Sequence, residues 1–263
     1  LNNKPVGIKE AAAPPKFGHQ IEGAMSRLRR LAEVGTKDRV VPRTSPPPPP
    51  KSLVADALGA VFGEDGWKLE AQQDGIEIFS RTVKGSKCKQ IRGRGQLSVD
   101  SESVLRLFQS SDADKIREFN PMYADGHDVE KVNANTKISW SKTHGLAVIS
   151  PRDFVTFVQL VKTRKGDILI LNKSTDHPLC PKGKNNCVRG TMLLGANAVR
   201  PTGKKTCEFT FVQQVDTGGS LPTWLMNRLM LRDSVSFIKR IEKAASSGFA
   251  PRMRGKLGRS RSS

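Results

Sequence analysis

The stretch SLPTWLMNRLMLRDSVSFIKRIEK, residues 220–243, decides how this chain folds. At about 100° per residue, one half of a helix built from it is apolar. The apolar side chains on that half are Trp224, Met226, Met230, Leu231, Val235, Phe237, Ile238 and Ile241. The basic residues on the other half are Arg228, Arg232, Lys239, Arg240 and Lys243. We therefore expect one face of the helix to cover an apolar surface and the other to meet water or anionic groups.

Two polar residues, Asn227 and Ser234, interrupt the apolar half of this helix. A buried amide or hydroxyl costs free energy unless something hydrogen-bonds it. Each of the two residues therefore needs a backbone partner or a ligand.

The rest of the middle of the chain reads as strands with a few helices. Helical patterns cover 53–62, 101–109 and 112–119, and the segment 101–109 has a serine and an acidic residue in its first turn. Strand patterns cover 67–72, 76–83, 89–99, 128–133, 136–142, 154–162, 167–172, 188–199 and 207–216. Runs of strands bracketed by helices predict an α+β domain with a mostly antiparallel sheet.

Charge and composition predict three regions. Residues 1–52 hold ten Lys and Arg against four Asp and Glu, together with a proline run at 46–50, and predict a basic, largely disordered linker with a short helix at 19–34. Residues 53–246 are predicted to form the folded domain, and 247–263 a basic disordered tail with five Arg and Lys and no acidic residue. Basic ends of this kind favour anionic surfaces, although solvated tails explain them equally well.

Cysteine content and hydropathy bear on the compartment. Cys88, Cys180, Cys187 and Cys207 are too few and too scattered for a disulfide scaffold, which indicates a reducing, intracellular setting. No apolar run approaches the length of a membrane span. The chain starts with Leu1 and is interpreted as a fragment or a processed product.

The usual signatures of catalysis and of metal binding are absent from the sequence. It has no GxSxG, GxxxxGK or HExxH pattern, and the GxG at Gly93 and Gly95 lacks a third glycine. His177, Cys180 and Cys187 leave a fourth zinc ligand unnamed. We therefore expect neither an enzyme nor a metal or other cofactor.

A strand-loop-strand unit in the middle of the chain has an apolar tip. Trp140 and Ser141 end one predicted strand, residues 144–150 (HGLAVIS) form the loop, and Arg152 to Phe154 open the next strand. Four successive apolar residues are unusual in a solvated loop. The tip is expected either to pack under the last helix or to enter a bilayer.

Three separate blocks carry a family resemblance: SPRDFV at 150–155, HPLCPKGKNNCVRG at 177–190 and DTGGSLPTWLMN at 216–227. Their order and spacing resemble the START domain, the steroidogenic acute regulatory protein related lipid transfer module. The resemblance covers roughly residues 53–246. It implies a helix-grip fold, in which a curved antiparallel sheet wraps around a long C-terminal helix and encloses a cavity for one lipid.

The resemblance leaves the lipid class open between phospholipid and sterol. Sterol-binding members are known for an acid and an arginine in the cavity, and the matching positions here are Ser141 and Val158. Phosphatidylcholine carriers place aromatic rings around the choline, and Trp140 and Phe154 match two of these positions. The arginine and aspartate near the phosphate map onto the stretch DKIREFN, with Asn120 in place of the aspartate.

In such a fold, alternation along the strands, the two faces of the last helix and the apolar loop add further residues to those that the resemblance names, and together they give the expected lipid contacts and membrane contacts. The expected lipid contacts are Trp140, Ser141, Phe154, Thr156, Val158, Leu160, Trp224, Asn227, Leu231 and Val235. The expected membrane contacts are Leu146, Val148, Ile149, Arg228 and Arg232. Opening is expected at the loop 144–150 and at the start of the last helix, with Gly218 and Gly219 as a hinge and Pro222 in the first turn.

These expectations combine into a lipid-transfer hypothesis with two alternatives. The expected partners are one lipid per chain and, peripherally, an anionic membrane surface; we expect a cytoplasmic monomer that does not bind nucleic acid. A cyclase or hydrolase on a related scaffold would need acid and base residues in the pocket. A nucleic-acid binder would use the basic tails, which lack interleaved aromatic residues.

Overall fold

The computed structural model describes residues 51–145, 149–183 and 186–248. The predicted helix at 19–34, the proline run and the basic tail after 248 lie outside this part of the chain, as do Leu146 and Val148. No described helix is long and apolar enough to cross a bilayer.

Helices and strands follow the predicted order in the described residues. The helices are α1 (Lys51–Phe62), α2 (Ser101–Gln109), α3 (Ala113–Phe119) and α4 (Thr223–Ser246). The strands are β1 (Lys68–Gln73), β2 (Ile76–Arg81), β3 (Gln90–Leu97), β4 (Tyr123–Asn133), β5 (Thr136–Thr143), β6 (Arg152–Lys162), β7 (Ile168–Ser174), β8 (Val188–Arg189), β9 (Thr191–Gly203) and β10 (Thr206–Asp216).

All ten strands belong to one sheet, in the order β1-β2-β3-β10-β9-β7-β6-β5-β4, and β8 pairs with β6. The pairings along this order are antiparallel, and the short β8 runs parallel to the start of β6. The predicted α+β class with an antiparallel sheet is therefore confirmed.

The run predicted as one strand at 188–199 is broken into β8 and β9 at Gly190. A Cβ at Gly190 would lie 2.4 Å from a ring carbon of Phe154. The chain therefore has no side chain where it passes that ring, and it pairs with β6 before the break and with β7 after it.

The helices cover the two faces of the sheet. On one face, α1 packs against β7, β9 and β10 through a small apolar core that includes Leu53, Ala57, Leu171 and Val212. On the other face, which we call the inner face, α4 contacts β2, β3, α2 and α3. The main apolar core lies there and includes Ile78, Phe209 and Ile238.

Two glycines of β3 leave room on the inner face for side chains that come from β10 and α4. A Cβ at Gly93 would lie 2.3 Å from the ring of Phe211, its cross-strand neighbour. A Cβ at Gly95 would lie 3.5 Å from Ile238 of α4. The GxG of the sequence therefore serves packing, because it brings a ring and a helix close to the backbone.

The two halves of α4 differ in burial. The buried residues of the helix are Ser234 at its middle and Ile238, Ile241, Ala244 and Ala245 in its C-terminal half. The hydroxyl of Ser234 donates to the carbonyl oxygen of Met230 at 2.7 Å, so this polar residue has a backbone partner. The C-terminal half is therefore anchored in the core, whereas the N-terminal half covers the sheet more loosely.

Replacing Ile238 by alanine tests this anchoring. The side chain is fully buried, so Ile238→Ala is expected to lower the free energy of unfolding by about 2–5 kcal/mol. The measurement is urea denaturation followed by far-UV circular dichroism. Ser236→Ala, at an exposed position of the same helix, is the control and should change stability by less than about 0.5 kcal/mol. Equal effects of the two substitutions would contradict the packing described.

Candidate functional site

A cavity of about 420 Å³ lies between the inner face of the sheet and the helices α3 and α4. Its lining comes from β3, β5, β6, β7, β9 and β10, from the end of α2, from α3 and the segment after it, and from Met230 to Arg240 of α4. The volume falls toward the lower end of the range of roughly 300–1,000 Å³ that small-molecule sites occupy. The interior beneath α4 is therefore hollow.

Phenylalanine rings form one wall of this cavity. The ring of Phe237 from α4 meets Phe211 edge-on, with centroids 5.2 Å apart, and Phe108 lies 5.5 Å from Phe119. All four rings line the cavity, and Phe209 packs behind them against Phe108 at 5.8 Å. Aromatic contacts in this distance range are favourable, so the wall is well packed.

The part of the sheet that faces the cavity carries polar side chains. Asn172 of β7, Asn197 of β9 and Gln213 of β10 all line the cavity, together with the hydroxyls of Ser141 and Thr156. Within the described residues, none of these five side chains makes a hydrogen bond inside the protein. The cavity therefore combines an aromatic wall with a polar floor.

An ion pair stands where the cavity approaches the surface. Arg240 donates through Nη1 and Nη2 to the two carboxylate oxygens of Asp233, at 3.1 and 2.7 Å, and through Nε to the carbonyl oxygen of Phe119 at 3.1 Å. The Asp233 side chain is 61% exposed. Arg240 thus links α4 to the end of α3, and the charges of Asp233 and Arg240 neutralise each other.

A second cavity, of about 270 Å³, lies beside the first one. Phe108 lines both cavities, while Val158, Leu160 and Ile170 line the second one. The ring of Phe108 therefore stands between two hollow regions of the interior.

The structure brings five of the predicted lipid contacts to these cavities. Ser141, Phe154 and Thr156 line the larger one, and Val158 and Leu160 the smaller one. The alternation of strand residues explains this, because 154, 156, 158 and 160 share one face of β6.

The remaining predicted contacts lie elsewhere in the described structure. Trp140 packs with Ile138, Val155 and Phe157 on the opposite face of the sheet, and Trp224 is 66% exposed. Asn227 accepts a long hydrogen bond from the backbone N–H of Lys89 at 3.4 Å. Leu231 and Val235 pack against the main core and do not line the larger cavity. Neither Trp140 nor Trp224 can contact a ligand in the cavity from these positions.

Arg117 of the stretch DKIREFN does not reach the cavity. It donates to the carbonyl oxygens of Tyr123 at 3.2 Å and Ala124 at 2.7 Å, and it pairs with Asp114 at 2.9 Å. Asn120 from the same stretch does line the cavity. The arginine thus holds the connection from α3 to β4 and is not available to a ligand phosphate there.

The SPRDFV block joins the segment before α4 to the sheet. Buried Arg152 donates to the carbonyl oxygens of Ser150 at 2.5 Å, Thr217 at 3.3 Å and Gly218 at 3.5 Å. Gly218 and Gly219 both have positive φ, at 61° and 70°. A side chain would be strained there, so the predicted hinge glycines occupy backbone positions that favour glycine.

Asp153 forms a second buried clamp beside Arg152. Its carboxylate accepts from Arg189 Nε and Nη2, both at 2.9 Å, and from Trp140 Nε1 at 3.0 Å. Burial acts to raise the pKa of Asp153, but the hydrogen bonds from Arg189 and Trp140 outweigh it and hold the pKa below its ordinary value. The carboxylate is therefore ionised at neutral pH and joins β5, β6 and β8.

Acid should weaken this clamp. A carboxyl group whose pKa is lowered on folding stabilises the fold above its unfolded pKa of about 3.9, and that stabilisation is lost as the pH falls through the lower folded value. Asp153→Asn is expected to lower the free energy of unfolding by about 3–5 kcal/mol at pH 7, because Arg189 then stays buried without its charge partner. The substitution should also make the free energy of unfolding less dependent on pH in the acid range. Denaturant unfolding between neutral and acid pH measures both effects.

Asp176→Asn is the matched control for this prediction. Asp176 faces Lys182 at 3.9 Å with both side chains largely exposed, so its loss should change stability little at any pH. If Asp153→Asn lowers the free energy of unfolding at neutral pH no more than Asp176→Asn does, the clamp described for Asp153 is contradicted.

Sequence reasoning missed the three amides, the phenylalanine wall and the Asp233–Arg240 pair. One signal was present: Asn172 and Asn197 interrupt the apolar runs DILILN and MLLGANAV, where a polar residue needs a partner. The ion pair had no such signal, because it depends on where α3 ends against α4.

A protein-family model described as the START domain matches residues 56–247, well over half of the chain. The chain belongs to the START domain family. The helix-grip fold expected from the resemblance is confirmed by solved START structures. Human STARD10 has a TM-score of 0.69 at 21% identity, covering 76% of this chain and 80% of that one. Human StAR-related lipid transfer protein 5 has a TM-score of 0.64 at 19% identity, covering 87% and 98%.

Curated relatives place this START domain among bacterial and animal proteins. An uncharacterized protein of Pseudomonas aeruginosa is 27% identical over 194 residues, which cover 74% of this chain and 93% of that protein. The human mitochondrial steroidogenic acute regulatory protein is 26% identical over 73% of this chain and 67% of its own length. Human START domain-containing protein 10 is 24% identical over 63% of this chain, and the match spans 56% of that relative.

Proposed function

We propose that this START domain encloses one lipid in the cavity beneath α4 and exchanges it at a membrane surface. The observation that carries the proposal is the hollow interior of about 420 Å³, walled by four phenylalanine rings and covered by the middle of α4, which follows a segment of the helix without buried residues. The names of two similar proteins, a lipid transfer protein and the steroidogenic acute regulatory protein, point in the same direction.

The physical role of such a cavity is to remove an aqueous barrier. Each CH₂ group of an acyl chain gains about 0.8 kcal/mol on leaving water for an apolar surrounding. A chain that moves from the bilayer into the space between Phe108, Phe119, Phe211 and Phe237 exchanges one apolar surrounding for another. Transfer is then limited by opening of the protein and not by passage of the lipid through water.

The N-terminal half of α4 is the proposed lid. Residues 223–233 include none of the buried residues of the helix, and they follow Gly218 and Gly219. The carbonyl groups at Thr217 and Gly218 are held by Arg152, which fixes the base of the lid to β6. The lid can therefore move while the C-terminal half of the helix remains in the core.

The same half of α4 presents a surface suited to a membrane. Trp224 and Leu229 are 66% and 40% exposed. Arg228 and Arg232 are also exposed, and neither has an ion-pair partner among the described residues. Indole and leucine side chains enter the lipid interface, and each arginine near an anionic surface contributes up to about 1 kcal/mol. We propose a cytoplasmic monomer that associates peripherally with membranes, with Ile149 and the neighbouring Leu146 and Val148 as further contacts.

Binding without catalysis is part of the proposal. The charged residues of the cavity lining are Lys142, Asp233 and Arg240, and the last two are paired with each other. Among the described lining residues no acid stands free as a general base opposite a nucleophile. The lining is suited to holding a ligand.

The direct test is native mass spectrometry of the full chain after exposure to vesicles made from a total lipid extract, followed by a vesicle-to-vesicle transfer assay. The expected result is one lipid per chain and transfer well above the spontaneous rate. A folded protein that takes up no lipid of any class would refute the proposal.

Membrane contact has its own test. Trp224→Ala combined with Leu229→Ser is expected to reduce cosedimentation with anionic vesicles and the transfer rate several-fold, because both side chains are exposed and their loss removes apolar area from the interface. Leu69→Ser, at a 48% exposed position on the edge strand β1, is the matched control and should transfer normally. If the control loses as much transfer as the double variant, the lid surface is not the docking surface.

A further inference from the structure

The polar floor of the cavity contains a buried acceptor without a partner. Asn197 is 9% exposed, and its Oδ1 has no hydrogen bond among the described residues. Asn197 pairs across the sheet with Ile170 on one side and with Phe211 on the other. Buried amides are hydrogen-bonded in the great majority of cases, so an unpaired one that lines a cavity marks a place where a ligand supplies the missing bond.

Two further amides lie on the next row of the sheet. The register places Asn172 opposite Gly195, and Gly195 opposite Gln213. The side chains of Asn172 and Gln213 line the cavity and make no hydrogen bond within the described structure. The three amides therefore surround the glycine on adjacent positions of one sheet face.

Gly195 lets neighbouring side chains pack closely against the sheet between these amides. A Cβ at this position would lie 3.0 Å from the Cβ of Asn172 and 3.2 Å from Sδ of Met192. Any other residue would therefore push Asn172 or Met192 out of its position beside the amides. The sequence MLLGANAV thus provides a glycine against which Asn172 and Met192 pack, and two residues later an amide that lines the cavity.

The floor is polar, and the charged residues nearest to it are paired or lie away from the amides. The row of Asn172 and Gln213 also includes Lys137, Val158, Gly195, Ile91 and Ser80, and Lys137 is paired with Asp128 at 2.8 Å. The row of Asn197 also includes Leu160, Ile170, Phe211, Gly93 and Ile78. Among the described residues, three charged ones line the cavity: Asp233 and Arg240 belong to α4 and neutralise each other, and Lys142 lies five positions along β5 from Lys137, the residue on the row of Asn172. A phosphate or a quaternary amine beside the amides would lose its hydration without an unpaired opposite charge next to it, which is strongly unfavourable.

Each amide side chain offers donors and an acceptor, whichever way its oxygen and nitrogen are assigned. Together with the hydroxyls of Ser141 and Thr156, the floor can both donate hydrogen bonds to a ligand and accept them. Hydroxyl and amide groups match this pattern, whereas a phosphate diester can only accept.

We propose that the cavity selects lipids whose polar end is uncharged and carries hydroxyl or amide groups, and that Asn172, Asn197 and Gln213 around Gly195 bind this end. The inference rests on the proposed function, because it names the ligand class of the same cavity. The polar end lies on the sheet, and the acyl portion lies against the phenylalanine wall.

The test uses the delipidated full chain and four probes presented in vesicles. Palmitoyl ceramide and dioleoylglycerol carry uncharged polar ends, whereas dioleoylphosphatidylcholine and dioleoylphosphatidylglycerol carry phosphate. Extraction by the protein is measured by native mass spectrometry with all four probes in competition. The uncharged probes are expected to be bound in at least about tenfold preference, as expected when a good hydrogen bond replaces an uncompensated buried charge.

Asn197→Leu and Gln213→Met remove single amides at similar volume. Each is expected to weaken binding of the uncharged probes about tenfold. The thermal midpoint of the lipid-free protein should stay the same or rise, because an unpaired polar group is lost. A residue that merely supports the fold would give the opposite result, with lower stability and unchanged probe preference. Having two independent variants keeps the test decisive if one of them fails to fold.

Gln159→Leu is the matched control. Its Oε1 is also buried without a partner among the described residues, but Gln159 lies on the other face of β6. Its cross-strand neighbour Leu171 belongs to the small apolar core between α1 and the sheet. Gln159→Leu should leave the binding of every probe unchanged. Preference for the phosphate-bearing probes, or full binding by Asn197→Leu and Gln213→Met, would overturn the inference and leave lipid binding intact. Failure to bind any of the four probes would overturn the inference, and the total-extract experiment then decides the proposed function separately.

Discussion

The unequal anchoring of α4 is the constraint on which the rest of the structure depends. Ile238 and Ile241 are fully buried, and Ile238 approaches the sheet where Gly95 lacks a side chain. The first three turns of the helix bury no residue. Because one end of the helix is fixed and the other is not, the C-terminal half can stabilise the fold around a hollow interior while the N-terminal half serves as the proposed lid.

Two buried charged residues stabilise the parts of the fold on either side of this difference in anchoring. Arg152 holds the carbonyl groups at the base of the proposed lid, and Asp153 joins β5, β6 and β8 through Trp140 and Arg189. Both residues belong to the SPRDFV block that carries the family resemblance. Their structural role explains why an arginine and an aspartate stand side by side at the start of a strand without facing the cavity.

Much of the fold followed from periodicity in the sequence. The predicted helix at 101–109 has the same bounds in the structure, and alternation along β6 placed Phe154, Thr156, Val158 and Leu160 on the cavity side. Alternation also puts Trp140 opposite Val155, on the outer face, because Ser141 pairs with Phe154. The assignment of Trp140 to the ligand came from resemblance, and it did not follow the strand pattern.

The composition of the cavity was harder to predict because it depends on pairings between distant strands. Asn172, Gly195 and Gln213 come together through the neighbouring positions of β7, β9 and β10, and single-strand patterns do not give the register between them. The helical pattern of α4 likewise showed which residues are apolar but not which half is buried. Trp224, on the apolar half of the wheel, is largely exposed for this reason.

Hydrogen exchange along α4, with and without lipid, tests the central claim most directly. Amides protected only by a loosely packed segment open with low free energy, whereas those in the core approach global stability. Without lipid, amides of residues 223–233 should exchange much faster than those of 234–246, and bound lipid should slow the first group selectively. Equal, slow exchange of both halves in the absence of lipid would contradict a helix that is anchored at one end and opens at the other.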